Sequence, residues 1–353
     1  MIPIEVPEAE IEVDLGAVAA NWRDLCARHG ATVAGVVKAD GYGLGAAPVA
    51  KALAAAGCQH FFVAQFAEGI ALRQALGHGP MIAILGGFPP GADAGAQLTA
   101  VLNTPQDTAA HAAAAPAPAG LILHLDTGME RLGLNADECA ALPSGALNLR
   151  YVMTHLACAD EPAHPLNTIQ AARFASAANA FPNIPRSFAN SAGLFLGADY
   201  ASDLARPGCA LYGINPTPGH PNPMRQVMRL TVPVLQIRQI AAGTPVGYGA
   251  TWVAKRDSRV ATIAAGYADG YLRSLSSRGI GIVAGCPVPL VGRVSMDLIT
   301  LDVTDAPDLR PGDRVEMIGP NQTPDDVAAL AGTIGYEVLT SLGARYRRRY
   351  LPA

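Results

Sequence analysis

The sequence predicts an α/β protein: a (β/α)8 TIM barrel over residues 1–222, then a mostly antiparallel β domain over 223–353. Three observations predict it. Eight short β-like runs alternate with helical patterns between residues 32 and 222. The runs are nearly unbroken apolar stretches, as strands covered on both faces must be. After residue 222 the texture changes to short strands punctuated by Gly and Pro. A doubly wound sheet is the rival arrangement. The count of eight, and chemistry-bearing residues at so many strand ends, favour the barrel.

Taken in order, a helix near 14–29 precedes the first strand. The strands fall at 32–38, 60–65, 80–85, 98–102, 120–126, 149–156, 186–190 and 203–206. Helical stretches at 46–57, 67–77, 104–115 and 165–180 lie between them. The alanine- and proline-biased segment 108–120 reads as a helix end and a loop. In the second part, RLTVPVLQIRQI, RVATIAA, GIVAG, CPVPLVGRV, LITLDV and DRVEMIG read as strands. Only 324–332 reads as helix there, with Thr323 as its cap and Pro324 in its first turn.

Half of the 353 residues are hydrophobic and 15% are charged, enough apolar material for two cores. Nothing in a net charge of −4 suggests nucleic acid, which usually calls for a basic face. Residues 1–13 carry four acids and no Lys or Arg, so a secretory start is not expected there. No apolar run is long enough to span a bilayer. The expected setting is cytoplasmic. Six cysteines include no C-x-x-C pair, so neither a zinc ribbon nor thioredoxin chemistry is expected, and no metal site.

The segment TVAGVVKADGYGLG, 32–45, carries the most chemistry. A run of small and apolar residues leads to Lys38, and a glycine-rich turn follows. The carboxyl ends of barrel strands form the active-site face. An apolar surrounding lowers a lysine's pKa, and a neutral amine attacks an aldehyde to form an imine. Taken alone, a lysine there is ordinarily a surface residue. A dinucleotide site also places glycines between strand and helix. Here the spacing Gly41-x-Gly43-x-Gly45 is not G-x-G-x-x-G, and the next strand ends without an acid for a ribose.

VVKADGYGLG resembles the cofactor-lysine motif of the alanine racemase family. Further matches follow in family order: LDTGMERLG, THLACAD, FANSAG, ARPGCALYG, GYGAT, GYADG and GRVSMD. They cover most of the chain. The resemblance implies a barrel plus a β domain, a homodimer with shared active sites, and pyridoxal 5′-phosphate bound on Lys38. It implies interconversion of L- and D-alanine, which serves either D-alanine supply for cell-wall peptidoglycan or amino-acid breakdown. Racemisation needs two proton-transfer groups on opposite faces of Cα. The resemblance assigns these to Lys38 and to Tyr248, the latter reaching the site from the partner subunit. Tyrosine titrates near 10, roughly, so it needs help to act as a base. By resemblance His155 stands behind Tyr248 and contacts Arg206.

The resemblance also places Arg206 at the cofactor's pyridine nitrogen. An arginine only donates, so the ring stays unprotonated and side reactions such as transamination are limited. Tyr42, Ser191, Gly208 and Cys209 are implied as phosphate ligands, with Asn190 beside them. Ser191 precedes a helical start, where N–H groups favour an anion. Arg131, Tyr267 and the backbone of Met296 are implied for the substrate carboxylate, with Asp297 behind them.

Two departures matter. Many family members carry a lysine, often carbamylated, two residues before the aspartate of D-T-G-M, and it orients the arginine matching Arg131. Here that position is His124, so His124, an anion or water is expected to orient Arg131. Some members also have a C-terminal tyrosine at the phosphate, where this chain has Ala344. The basic run at 345–349 reads as a solvated or ion-paired strand end. Three alternatives share some of these features: a racemase of serine or a broader amino-acid set, a non-catalytic pyridoxal-phosphate carrier, and a class I aldolase. One methylene discriminates by only about 1–3 kcal/mol, which leaves the first open. GYGAT, GYADG and GRVSMD in the second part argue against the carrier. An aldolase needs neither Arg206 nor a second domain.

Overall fold

The structure, a computed structural model, describes residues 8–93, 95–114, 116–142 and 147–353. It divides into two compact units. One spans Gly16–Arg225; the other combines the segment ending at Leu15 with Gln226–Pro352.

In the first unit nine parallel strand segments form one sheet. The order is Thr32–Val33, Leu204–Ala205, Arg186–Ser187, Leu149–Met153, Leu121–His124, Thr99–Leu102, Met81–Ile84, His60–Val63 and Gly35–Val36. The two ends of this order are halves of one strand, interrupted at Ala34. Ala34 N–H donates to the Ala205 carbonyl at 2.9 Å, and Val37 N–H to that of Phe62 at 2.9 Å. The sheet therefore closes into the expected eight-stranded barrel. Ala34, Val36, Phe62, Met81, Ala83, Val101, Ile122, Met153 and Leu204 pack together as one cluster. Leu123, Val152, Phe174 and Phe188 belong to a second cluster, which seats helix Pro165–Ala178. Each such large side chain, fully buried, contributes about 1.5–3 kcal/mol before the entropy of ordering it.

The expected helices are present as Leu15–His29, Ala46–Ala55, Phe66–Leu76, Pro105–Ala113 and Pro165–Ala178. The alanine-biased segment holds the end of Pro105–Ala113, and its Ala115 lies outside the described residues. Two local readings are corrected. The first strand stops at Val36, and Lys38 opens a short turn instead of ending a strand. A five-residue helix, Ala136–Ala140, was not expected; it is too short to show a period and is set by Asn135, whose Oδ1 accepts from Glu138 N–H.

The second unit is an eight-stranded sheet. Its main path runs Cys286–Pro289, Ile280–Val283, Arg314–Ile318, Met228–Ile240, Glu10–Asp14 and Arg347–Leu351. Ser258–Ile263 pairs with Met228–Ile240, and Ile299–Asp302 pairs with Ser258–Ile263. Every pairing is antiparallel except Glu10–Asp14 with Arg347–Leu351. The expected barrel domain begins at residue 1; residues 1–7 lie outside the described residues, and for Glu10–Asp14 the strand corrects that expectation. It pairs instead in the β sheet, and register puts Glu10 opposite Arg347 and Glu12 opposite Arg349. Glu10 is ion-paired to both arginines and Glu12 to Arg349. Thr323 caps helix Pro324–Ala331 as expected. A second helix, Gly335–Ser341, corrects the reading of a single one: seven residues opened by Gly give no periodic signal. Among the described residues no helix is long and apolar enough to cross a membrane.

Candidate active site

Lys38 begins a turn that strands and helices do not ordinarily contain. Ala39, Asp40 and Tyr42 all have φ of 51–54°, with Gly41 at 62° between them. Left-handed backbone costs a residue with a Cβ roughly 1–2 kcal/mol, and consecutive residues there are rare. Such strain persists only where surroundings fix it, and it concentrates at functional sites. Here Asp40 Oδ1 accepts from Ala46 N–H at 2.8 Å, and Gly41 N–H donates to the Val37 carbonyl at 2.9 Å. Ala39 N–H donates to Glu68 Oε1 at 2.6 Å.

Burial pushes the half-buried Lys38 amine below its ordinary value, and the Arg131 guanidinium adds to this; Glu68 and Cys209 oppose it. A neutral amine is therefore more accessible than on a surface lysine.

The turn brings Tyr42 against the corner after the last barrel strand. A Cβ on Gly208 would lie 2.1 Å from the Tyr42 hydroxyl, so only glycine lets the two approach. The Tyr42 ring stacks on Tyr212 with centroids 4.6 Å apart. Burial raises the Tyr42 phenol's pKa, so it stays protonated. Ser191 Oγ accepts from Gly208 N–H at 2.9 Å and Ala210 N–H at 3.3 Å. Both its lone pairs are used, and its own O–H is the donor left for an anion. Buried Cys209 opens the helical turn Cys209–Tyr212. Asn190 adjoins Ser191, but its side chain holds the local turn: Oδ1 accepts from Gly193 N–H at 2.9 Å and Nδ2 donates to the Leu156 carbonyl at 3.5 Å.

Arg206 directly follows strand Leu204–Ala205 and is buried. Its guanidinium donates to the Ser187 hydroxyl, to the Thr154 carbonyl at 2.5 Å and to His155 Nδ1 at 3.5 Å. Ser187 in turn donates to the Leu204 carbonyl at 2.8 Å. Burial lowers the Arg206 pKa to about 10, which leaves it charged at neutral pH. Burial first, then the cations Arg206, Arg131 and Lys38, hold His155 well below its ordinary value. A neutral His155 that accepts at Nδ1 carries its hydrogen on Nε2.

His124 ends strand Leu121–His124 and is buried. Burial, with Arg206 next, lowers its pKa to about 4. Its Nδ1 lies 2.8 Å from Asn103 Oδ1. Arg131 is exposed on the loop that follows, and its charge is felt at Lys38, His124 and His155.

The structure thus brings ten expected residues to the carboxyl end of the barrel: Lys38, Tyr42, His124, Arg131, His155, Asn190, Ser191, Arg206, Gly208 and Cys209. Tyr248, Tyr267, Met296 and Asp297 belong to the β unit. Tyr248 is 72% exposed in a turn with positive φ at Gly247, Gly249 and Ala250. Tyr267 and Met296 adjoin: Tyr267 N–H donates to the Ser295 carbonyl at 3.0 Å and Ala268 N–H to that of Met296 at 3.0 Å. A Cβ on Gly266 would sit 2.2 Å from the Met296 carbonyl oxygen, which explains glycine before Tyr267. Asp297 pairs with Arg345 at 2.8 Å. Glu68, Asn103, Thr154 and Ser187 were not anticipated. For Glu68 the signal was its place three residues after Gln65 at a helix start. The other three show their roles only once the barrel closes.

Fold and site define a barrel protein with a half-buried lysine of lowered pKa at its carboxyl face and, beside it, the glycine corner that Tyr42 closes, joined to a β domain. Residues 13–216 match the family model for the alanine racemase N-terminal domain, and 227–350 that for the C-terminal domain. The chain is 54% identical to the alanine racemase of Acidiphilium cryptum over 96% of its length and 97% of that protein. It is 50% identical to that of Rhodospirillum rubrum, covering 97% and 96%. The structure of alanine racemase from Bartonella henselae with covalently bound pyridoxal phosphate superposes with a TM-score of 0.93 at 40% identity, covering 98% and 100%. The chain belongs to the alanine racemase family.

Proposed function

We propose that this chain interconverts L- and D-alanine with pyridoxal 5′-phosphate held on Lys38, as a cytoplasmic homodimer with shared sites. The observation that carries the reading is the set of groups at the barrel mouth: a depressed amine, a donor-only arginine and an anion corner closed by the Gly208–Tyr42 approach. Those residues fit the cofactor. Lys38 would hold its aldehyde carbon and Arg206 its pyridine nitrogen. Tyr42, Ser191 and the turn opened by Gly208 and Cys209 would hold its phosphate, with Asn190 fixing that turn. When bound, the cofactor supplies the electron sink that makes the substrate Cα–H acidic.

The chain's own residues do the rest. Lys38 Nζ takes or returns the proton on one face of Cα. The partner subunit's Tyr248 serves the other face through its phenol oxygen. A phenolate needs a donor, and the Nε2–H of a neutral His155 is one. Arg206, with a pKa of about 10, would keep its protons and only hydrogen-bond the pyridine nitrogen, which would then stay unprotonated and draw less charge from Cα. Arg131, oriented by His124, receives the substrate carboxylate together with Tyr267 and the Met296 backbone of the partner subunit, with Asp297 behind them. Tyr248, Tyr267, Met296, Val253 and Leu298 are large side chains left 41–72% exposed in the β unit, which supports a partner that covers them.

The test is racemisation of L-alanine with and without added cofactor, followed by borohydride reduction and mass mapping of the adduct. L-Ala turnover with the adduct on Lys38 supports the reading. No turnover, or an adduct on another lysine, overturns it. Relative rates on L-serine and L-lysine measure substrate breadth.

A further inference from the structure

We propose that Glu68 is the positioning residue of Lys38: one carboxylate ties the peptide that follows the lysine to the loop after the neighbouring barrel strand. The inference rests on the assignment of Lys38 as the reactive amine. Glu68 sits in the first turn of helix Phe66–Leu76. Its Oε2 accepts from Ala64 N–H at 2.8 Å and from Gln65 N–H at 2.9 Å. A capping glutamate ordinarily stops there, satisfying donors at its own helix start. Here Oε1 also accepts from Ala39 N–H at 2.6 Å, 29 residues away in sequence.

That third bond acts on the lysine. Lys38 is flanked by two peptide planes. The preceding one is held by its carbonyl, Val37 O, which accepts from Gly41 N–H at 2.9 Å. The following one is held at its N–H by Glu68. Together they set both backbone torsions of Lys38, and so the direction in which its side chain leaves. The next residues are strained: Ala39, Asp40 and Tyr42 stay left-handed although each has a Cβ. A strained turn relaxes when a restraint goes. Hydrogen bonds to an ionised acceptor are the strong kind, so the restraint is well chosen. The same carboxylate is felt at the Lys38 amine.

A second capping glutamate supplies the comparison. Glu138 Oε2 accepts from Asn135 N–H at 2.9 Å at the start of helix Ala136–Ala140 and, among the described residues, bonds no strand end. Losing either glutamate costs a helix cap; only Glu68 also holds the lysine turn.

The experiment compares Glu68→Ala with Glu138→Ala in the full-length protein. Three quantities are read: kcat and KM for L-alanine, the thermal midpoint, and the rate at which cofactor-free protein forms the borohydride-reducible Lys38 adduct with pyridoxal phosphate. Small misplacement of a reacting group costs on the order of 100-fold. Glu68→Ala is expected to lower kcat about 10- to 100-fold with KM within about threefold, and to slow adduct formation by a comparable factor. Glu138→Ala is expected to change neither. If the alanine variant does not fold, Glu68→Gln decides. Its amide has one acceptor oxygen, so it keeps either the Ala39 bond or the cap bonds and should fall between wild type and alanine. The proposal is overturned if Glu68 variants lose no more kcat or adduct rate than Glu138→Ala. It is equally overturned if kcat and KM change together in step with the thermal midpoint. An adduct that maps away from Lys38 in the wild type sinks the cofactor assignment instead, whatever Glu68 does.

Discussion

Asn103 fixes which nitrogen of His124 carries the hydrogen. The Asn103 Nδ2 donates to the Leu85 carbonyl at 2.9 Å and the Val101 carbonyl at 3.3 Å, so its Oδ1 is an acceptor. His124 Nδ1, 2.8 Å away, must therefore donate. With a pKa near 4 the ring is neutral at pH 7, and Nε2 carries a lone pair. A neutral acceptor at a strand end is suited to orienting a guanidinium. This is how we read its relation to Arg131.

Asn103→Ala leaves a buried N–H without an acceptor and frees the ring to change tautomer. The expected loss of stability is about 1–3 kcal/mol. The expected kinetic effect is a higher KM for alanine, from a less oriented Arg131, with added bicarbonate leaving the rate unchanged. Steady-state rates with and without bicarbonate, beside a urea titration, check this. A rate that climbs with bicarbonate would show that an anion, and not His124, orients the arginine.

The same histidine makes stability depend on acid. Unfolded, it takes a proton near its ordinary value of 6.5; folded, it refuses one until about pH 4. Between those values the unfolded chain binds more protons, so stability falls as pH falls. Above 6.5 the effect is absent, and below 4 it levels off. His124→Gln should flatten part of the slope in urea midpoints between pH 7 and 5. An unchanged slope would mean that His124 takes up its proton equally in both states.

The eight barrel strands and Lys38 were legible because each is a local pattern: an apolar run, or a lysine before a glycine turn. The strand Glu10–Asp14 was not. Its alternating EIEVD is short and acid-rich, and its ladder partner Arg347–Leu351 lies more than 300 residues on. The charges match only when the two are side by side. Asn103 and Ser187 were illegible for a similar reason. Asn and Ser are ordinary loop or strand residues until a buried His124 or Arg206 needs a partner. Gly208 was legible as a turn, but the reason for its missing Cβ, the Tyr42 hydroxyl, comes from the far end of the barrel's sequence, after its first strand.

Gly208→Ala follows from that approach. The added Cβ would meet the Tyr42 Oη at 2.1 Å and Cζ at 2.9 Å, and the ring, stacked on Tyr212, has little room to yield. Overpacking of this kind costs about 1–3 kcal/mol. Cofactor affinity should drop about tenfold or more, since each 1.4 kcal/mol is tenfold. Tyr42→Phe in the same chain removes the closer contact and leaves the other, so the double variant should regain part of the affinity. Fluorescence titration with pyridoxal phosphate reads both. Full additivity of the two losses would show that the residues do not meet.

The role proposed for Arg206 can be tested through the reaction it would suppress. Arg206→Lys keeps a charge but cannot reach Ser187, Thr154 and His155 at once with the planar fork. Its expected cost is stability and rate together. Arg206→Glu offers the pyridine nitrogen a proton partner, and pyruvate formed per racemisation event should rise. If pyruvate per turnover stays at the wild-type level, the arginine does not limit carbanion lifetime.

The proposed sharing of sites between two subunits makes a prediction that no single variant can test. Lys38→Ala removes the amine, Tyr248→Phe removes the phenol, and each homodimer should be inactive. In a hybrid dimer, the subunit that keeps Lys38 faces a partner subunit that keeps Tyr248, so one of its two sites is whole. The other site lacks both groups. Random mixing of equal amounts gives hybrids as about half of all dimers, so activity should recover to about a quarter of wild type. If instead each tyrosine served the barrel of its own chain, every site in the hybrid would lack one group and nothing would return. Tagging the two variants differently and purifying the doubly tagged species separates failure to exchange from failure to complement. The exposed Tyr248 is then either a group waiting for another subunit's lysine or an ordinary surface tyrosine.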